Sequence, residues 1–318
     1  MNEQIKRFLR RYGTVLGALA IFIVLSIVAE NFLTTRNMFL LLRQMSMLTI
    51  ISLGFIFVMS GGGFDMSVGF SVGLVAVFFA AVLNATGSLP LAILAGLGTG
   101  LVVGSVNGLL CSYIGIPDFI GTFAVGSIAV GVKMLYTKGN PIFFMRPPES
   151  FSFIGQGYIG LVPFPVIIMF VILAIAIFVL KKTSLGRRIY AIGGNPTAAL
   201  YAGIKVKKYR FITFLISSLG VAITAIVLTS RLGSAQPLAG ENYLLDAVSV
   251  GFLSATMFGE GETNAEGAFV GALIISMLNN GLTMLNVPYY FQFITKGSVV
   301  ILAVLIAVLM GQKFRMKF

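Results

Sequence analysis

Ten carboxylates stand in a chain of 318 residues, and one, Asp65, lies in GGGFDMSVGFSVG between a glycine triplet and a long apolar run. A carboxylate in such a place can bind a coupling ion, move a proton or cap a helix. Partners for the first two roles are scarce. The chain has no His, which removes His-based triads and His metal sites. The single Cys111 can form neither an internal disulfide nor a multi-Cys site, and its apolar run suggests a packing role. No Gly-Lys dipeptide occurs, so there is no phosphate-binding loop, and no HExxH helix is possible. No catalytic residue, metal or cofactor is assigned to this chain. The other acids, Glu3, Glu30, Asp118, Glu149, Glu241, Glu260, Glu262 and Glu266, map to loops or span ends, and Asp246 to the start of a weak span. A nearly uncharged interior argues against an ion-coupled carrier, which keeps ionisable groups at mid-membrane.

The elements that must position these residues are hydrophobic. The chain is 58% hydrophobic and 10% charged, with a mean hydropathy of +1.00, where a soluble domain carries about 25% charged residues. Repeated apolar runs approach the roughly 20 residues needed to cross a bilayer. The expected fold is an all-α polytopic membrane protein, one transmembrane domain over 1–318 with about ten spans. They fall near 14–30, 45–60, 66–84, 90–112, 119–136, 163–180, 211–229, 244–259, 266–283 and 296–310. The eighth is the weakest. The start MNEQIKRFLRRYG resembles the positive region of a signal peptide, but the apolar stretch after it is long and lacks a small-x-small exit, so it reads as a retained helix.

Charge placement sets the topology. A net charge of +12 could suggest nucleic acid, but 15 of the 22 basic residues gather in the N-terminus, the loop 181–210 and the C-terminus. That is the positive-inside pattern, with both termini cytoplasmic and no nucleic-acid partner. Lys133 and Lys296 fall near outer span ends and are expected to snorkel outward. The segment 137–162, rich in Pro, Gly and aromatics, falls outside.

Two local patterns are sharp. Gly96, Gly100, Gly104 and Gly108 recur every four residues, a stripe that lets a neighbouring helix approach closely. Packing within the subunit is the first reading and a dimer seam the second. In GGNPTAALYAGI, Asn195 can cap a helix, Pro196 suits its first position and Gly203 can close it. A two-turn helix over 196–202 follows, lying in a basic loop with a small neutral face (Ala198, Ala199, Tyr201) suited to docking on a protein.

GGGFDMSVG resembles the GGIDLSVG signature of ribose/xylose-type sugar-import permeases of the ATP-binding cassette class. The resemblance extends over TSLGRRIYAIGGNPTAALYAGIKV at 183–206, SRLGSAQPLAGENYLLDAV at 230–248 and LNNGLTMLNVPYYFQFITKGSVVILAV at 278–304. It implies a permease in the bacterial inner membrane that is not itself an enzyme. Its implied partners are a second permease copy or paralogue, a cytoplasmic ATPase holding ATP and Mg, and a periplasmic or lipid-anchored binding protein delivering a small polar solute, foremost a pentose-like monosaccharide. It also implies that Gly193, Gly194, Asn195, Pro196, Ala198, Ala199, Tyr201 and Gly203 form the helix that couples to the ATPase. The chain departs from the family at VGFLSATMFGEGETNAEG, which carries Glu260, Glu262 and Glu266, and at Asp118. Asn107, Gln236, Asn279 and Asn280 are candidate pathway polar groups, with helix–helix hydrogen bonding the competing role. Gly61, Gly62, Gly63 and Asp65 read as a structural turn at the cytoplasmic end of spans two and three, with Asp65 capping the helix that follows and substrate contact as its competing role. The rival classes are an ion-coupled carrier and a membrane-embedded enzyme. Within the permease class, autoinducer-2-type signals, nucleosides and branched-chain amino acids are alternative cargo.

Overall fold

The structure, a computed structural model, describes residues 3–145, 147–257 and 261–309, with backbone only for 3–13, 300, 303, 304 and 306–309. The side chains of the basic N-terminal flank (Lys6, Arg7, Arg10, Arg11), together with Arg146, Glu260 and the C-terminal GQKFRMKF, lie outside what is described.

The chain is mostly helical. In order it forms α1 (Glu3–Val28), α2 (Thr35–Ser60), α3 (Ser67–Thr86), α4 (Leu89–Gly108), α5 (Asp118–Thr137), α6 (Glu149–Gln156), α7 (Phe164–Lys182), α8 (Ser184–Gly194), α9 (Pro196–Tyr201), α10 (Val206–Leu232), α11 (Asn242–Ala255), α12 (Ala265–Met284) and α13 (Tyr289–Leu309). The boundaries follow local chemistry. Thr34, Thr183, Asn195 and Asn264 each accept a first-turn amide of the helix they precede, satisfying donors that have no intrahelical acceptor. A π-helical turn, Leu109–Ile114, prolongs α4.

Seven helices among the described residues are long and apolar enough to cross a membrane: α2, α3, α4 with its π-turn, α5, α7, α10 and α12. They match seven of the ten spans expected from sequence. The remaining three fall on α1, α11 and α13. At about 1.5 Å per residue, the 14 residues of α11 reach about 21 Å, short of the roughly 30 Å hydrocarbon layer. That is why the eighth span reads weakly.

Helix α2 is the axis of the bundle. It is buried along most of its length and touches α10, α12, α7 and α11. The glycine stripe of α4 is occupied inside the chain by α10. Gly96 faces Ile226, Gly100 faces Ala222, Gly104 faces Ser218 and Phe214, and Gly108 faces Phe211. A Cβ on Gly100 would lie 2.8 Å from that of Ala222, so the stripe is a close-packing face and not an open seam.

Between α5 and α7 the chain is more ordered than its composition suggests. Strand β1 (Ile142–Phe143) pairs antiparallel with β4 (Ser234–Ala235), and β2 (Tyr158–Ile159) with β3 (Val162–Pro163). Helix α6 sits on the end of α10, the Gly155 N–H donating to Ser230 Oγ at 2.7 Å. Past β4 the chain dives beside α3 without helical structure. A Cβ on Gly240 would collide with Val72, and one on Gly69 would meet Leu244 at 2.9 Å.

Candidate functional site

The turn between α2 and α3 holds the opening carboxylate. Gly62 takes φ +74°, a left-handed conformation that disfavours side chains. Gly63 runs against α5, where a Cβ would lie 2.6 Å from Asp118 Oδ2. Asp65 is only 2% exposed. It accepts the Ser67 N–H at 3.0 Å and the Ser67 hydroxyl at 2.6 Å, so it does receive a first-turn donor of α3. It also accepts Ser217 Oγ of α10 at 2.8 Å and Asn107 Nδ2 of α4 at 3.4 Å. One carboxylate therefore ties three helices together. Burial pushes its pKa up, and the hydrogen bonds from Ser67 and Ser217 oppose that shift.

Asp118, a departure with no role readable in sequence, belongs to the same assembly. Arg210 of α10 grips both its oxygens, at 2.6 and 2.7 Å, and Phe64 N–H donates to Oδ2 at 3.1 Å. Thr122 Oγ1 receives the Met66 N–H at 2.8 Å. The turn's backbone is thus held by side chains of α5. Gly69–Gly73 fits the G-x-S-x-G spacing of a nucleophile elbow, but it lies within α3 and its Ser71 is buried, with no His in the chain.

The capped helix expected at 196–202 is α9, Pro196–Tyr201, with Asn195 Oδ1 accepting the Thr197 and Ala198 amides at 3.1 and 3.0 Å. Gly203 follows at φ +79°. One expectation needs correction: Ala199 does not belong to an outward docking face. It is 5% exposed and turned into the chain. The exposed face is Thr197, Ala198, Leu200 and Tyr201, the last two 60% and 87% exposed. A helix of six residues has too few turns for sequence period to choose its buried side. Beside it a cavity of about 590 Å³ is lined by Tyr113, Pro196, Leu200 and Lys205, Lys207 and Lys208 among others. Gly194 is exposed, whereas Gly193 is wedged against the end of α2, where a Cβ would collide with Ser60 O. Ser60 Oγ and Thr263 Oγ1 share a hydrogen bond at 2.7 Å, and Tyr190 of α8 donates to Thr263 O at 2.9 Å.

The four candidate pathway groups separate. Asn107 is buried and donates to Ser67 Oγ at 2.7 Å. Asn280 exchanges hydrogen bonds with Asn37 of α2, at 3.1 and 2.9 Å. Both lie in helix–helix contacts. Asn279 donates to Asp246 at 3.1 Å, and Gln236 to Ser234 Oγ at 3.1 Å.

The interior carries more charge than expected. Lys133 does not snorkel outward; its side chain is 0% exposed and pairs with Glu241 at 3.4 Å while donating to Phe70 O at 3.2 Å. Lys296 likewise turns inward to Asp246, at 2.9 Å. Glu266 pairs with Lys181 at the basic end of α7.

A second cavity, about 600 Å³, opens between the α2–α3 turn, the start of α5 and α11. Gly62, Gly63, Phe64 and Met66 form one wall, Pro117–Ile120 another, and Leu244, Leu245, Val248 and Phe252 the third. Its lining is almost wholly apolar.

Residues 37–309 match the family described as branched-chain amino acid transport system / permease component. The chain is 39% identical to the ribose import permease protein of Bacillus subtilis, covering 94% of this chain and 92% of the relative. It is 33% identical to the D-allose transport system permease protein of Escherichia coli, covering 93% and 91%. It is 31% identical to the xylose transport system permease protein of Haemophilus influenzae, covering 91% and 94%. No solved structure matches.

Proposed function

We propose, because this chain belongs to the permease family described as branched-chain amino acid transport system / permease component, that it is the membrane subunit of an ATP-driven importer for a small sugar. The observation that carries this reading is near full-length similarity to permeases named for ribose, allose and xylose. The family description names amino acids, but the individual relatives are sugar permeases, and the pentose-like reading follows them. The inward-turned pairs Lys133–Glu241 and Lys296–Asp246 are charges of the kind an ion-coupled carrier would use, but the near full-length similarity to named import permeases weighs against that class.

In this reading the chain is one transmembrane domain that crosses the membrane ten times, with both termini and the 181–210 segment in the cytoplasm. A second copy or a paralogue completes the pathway, surrounded by lipid. A separate ATPase, holding ATP and Mg, docks on the α8–α9 segment, and an extracytoplasmic binding protein delivers the solute. The exposed Leu200 and Tyr201 beside three lysines suit a cleft with an apolar floor and an acidic rim. The test is co-purification from membranes of the source cell. An ATPase subunit should come down with the wild-type chain and be lost with Leu200→Glu. Retention in the variant would remove the docking assignment, and absence from the wild type would remove the importer reading.

A further inference from the structure

We infer that Asp65, Ser67, Asn107 and Ser217 hold a resident sodium ion that locks the start of α3 to α4 and α10. The inference goes beyond the permease reading and does not depend on it.

The oxygens of such a site are already gathered. Asp65 Oδ1 lies 2.6 Å from Ser67 Oγ, and Asp65 Oδ2 lies 2.8 Å from Ser217 Oγ. Asn107 closes the group from α4, its amide nitrogen 2.7 Å from Ser67 Oγ and 3.4 Å from Asp65 Oδ1. None of the four residues is more than 2% exposed.

What the cluster lacks is positive charge. The groups that donate to Asp65 are the Ser67 amide, two serine hydroxyls and a side-chain amide, all formally neutral. Among the described residues no lysine or arginine pairs with it. The charged side chain that acts on it, Asp118, is another carboxylate, and Arg210 already neutralises that one. A buried carboxylate without a counter-charge carries a desolvation cost that neutral hydrogen bonds only partly offset.

A second observation points to a ligand. Asn107 Oδ1, the other end of the amide that touches the acid, is buried without a hydrogen-bond partner. A buried acceptor left unpaired is costly, and a cation beside the acid gives it a positive partner. Which end of an amide faces its neighbour follows from the partners on offer, so an ion draws the Asn107 oxygen toward the carboxylate. Carboxylate, hydroxyl and amide oxygens form a hard donor set, with no thiolate or imidazole among them. One carboxylate balances one positive charge, whereas a divalent ion would leave a buried surplus. The close spacing of the oxygens favours sodium over the larger potassium ion.

The ion's task is structural. Ser67 opens α3, Asn107 lies at the end of α4 and Ser217 lies within α10. A cation among them cross-links three helices and leaves no net charge inside the bundle. It drives no transport, so sodium need only be present, with no gradient.

The experiment unfolds the purified full chain by heat in detergent, in sodium, potassium and choline chloride at one ionic strength. The wild-type Tm should rise by about 5 °C in sodium over choline, saturating with concentration, and should barely move in potassium. Asp65→Asn should melt alike in all three salts, and no lower than the wild type in choline, because the unbalanced charge is gone. Radioactive sodium should bind the wild type at one ion per chain, and Ser217→Ala should weaken that binding about ten-fold. This second measurement decides the matter even where Asp65→Asn does not fold. Equal melting of the wild type in all three salts, with no sodium bound, overturns the site. An equal rise in sodium and potassium overturns it as a general salt effect, as does sodium binding that survives in Asp65→Asn.

Discussion

At the residue scale, Lys133 is the clearest case of information that the sequence does not hold. Near a span end, a lysine ordinarily reaches for water. Here its partner, Glu241, is 108 residues away and reaches it only because the segment before α11 dives beside α3. Asp118 is the same kind of case, since Arg210 stands 92 residues later. Asp65 was legible as a helix-start acceptor, while its bonds to Ser217 and Asn107 depend on tertiary contacts. Lys133 is buried but Glu241 is 37% exposed, so Glu241→Gln should destabilise the chain by about 1–2 kcal/mol, between the exposed and buried limits. Glu241→Gln with Lys133→Met should recover most of that loss, because the uncompensated charge is gone. Thermal unfolding of the two variants in detergent checks this. Equal melting temperatures for the single and double variants, both below that of the wild type, would contradict the uncompensated charge as the source of the loss.

At the element scale, the long apolar helices and the cap of α9 were readable because period, capping residues and Gly/Pro placement are local. The short reach of α11 was readable as a weak eighth span, but the buried side of α9 was not, since it is set by what lies against it. The glycine stripe lies between: its existence is local, but its partner, α10, is tertiary. Gly100→Leu must push Ala222 and the Ser218 carbonyl aside, and overpacking of this kind typically costs about 1–3 kcal/mol or more. Reduced yield and detergent stability are expected, and unchanged values for both Gly100→Leu and Gly104→Leu would contradict the α4–α10 contact. For α9, Leu200→Glu places a charge on the exposed face proposed to dock, whereas Ala199→Glu places one inside the chain. Leu200→Glu should therefore fold normally and lose the ATPase, and Ala199→Glu should lose folded protein. Size-exclusion profiles alongside co-purification separate the two, and a well-folded Ala199→Glu would contradict the burial.

At the scale of the whole molecule, one chain is proposed to serve three surfaces: a pathway, an ATPase dock and an outer face for the binding protein. In the proposed topology, read from the positive-inside asymmetry, 181–210 lies in the cytoplasm and 137–162 on the other side. Cysteines introduced at Asn140 and Asn195, both exposed, should react with impermeant reagents from opposite faces of intact and inverted vesicles. Reaction of both from one face would break the ten-crossing topology. The central claim is tested most directly by solute movement. The chain is reconstituted with its ATPase and binding protein, and radiolabelled D-ribose, D-allose and D-xylose are offered in turn. At least one sugar should accumulate inside the vesicles only when ATP and the binding protein are both present, with no dependence on a proton or sodium gradient. Uptake that ignores ATP and follows an imposed ion gradient would contradict the account.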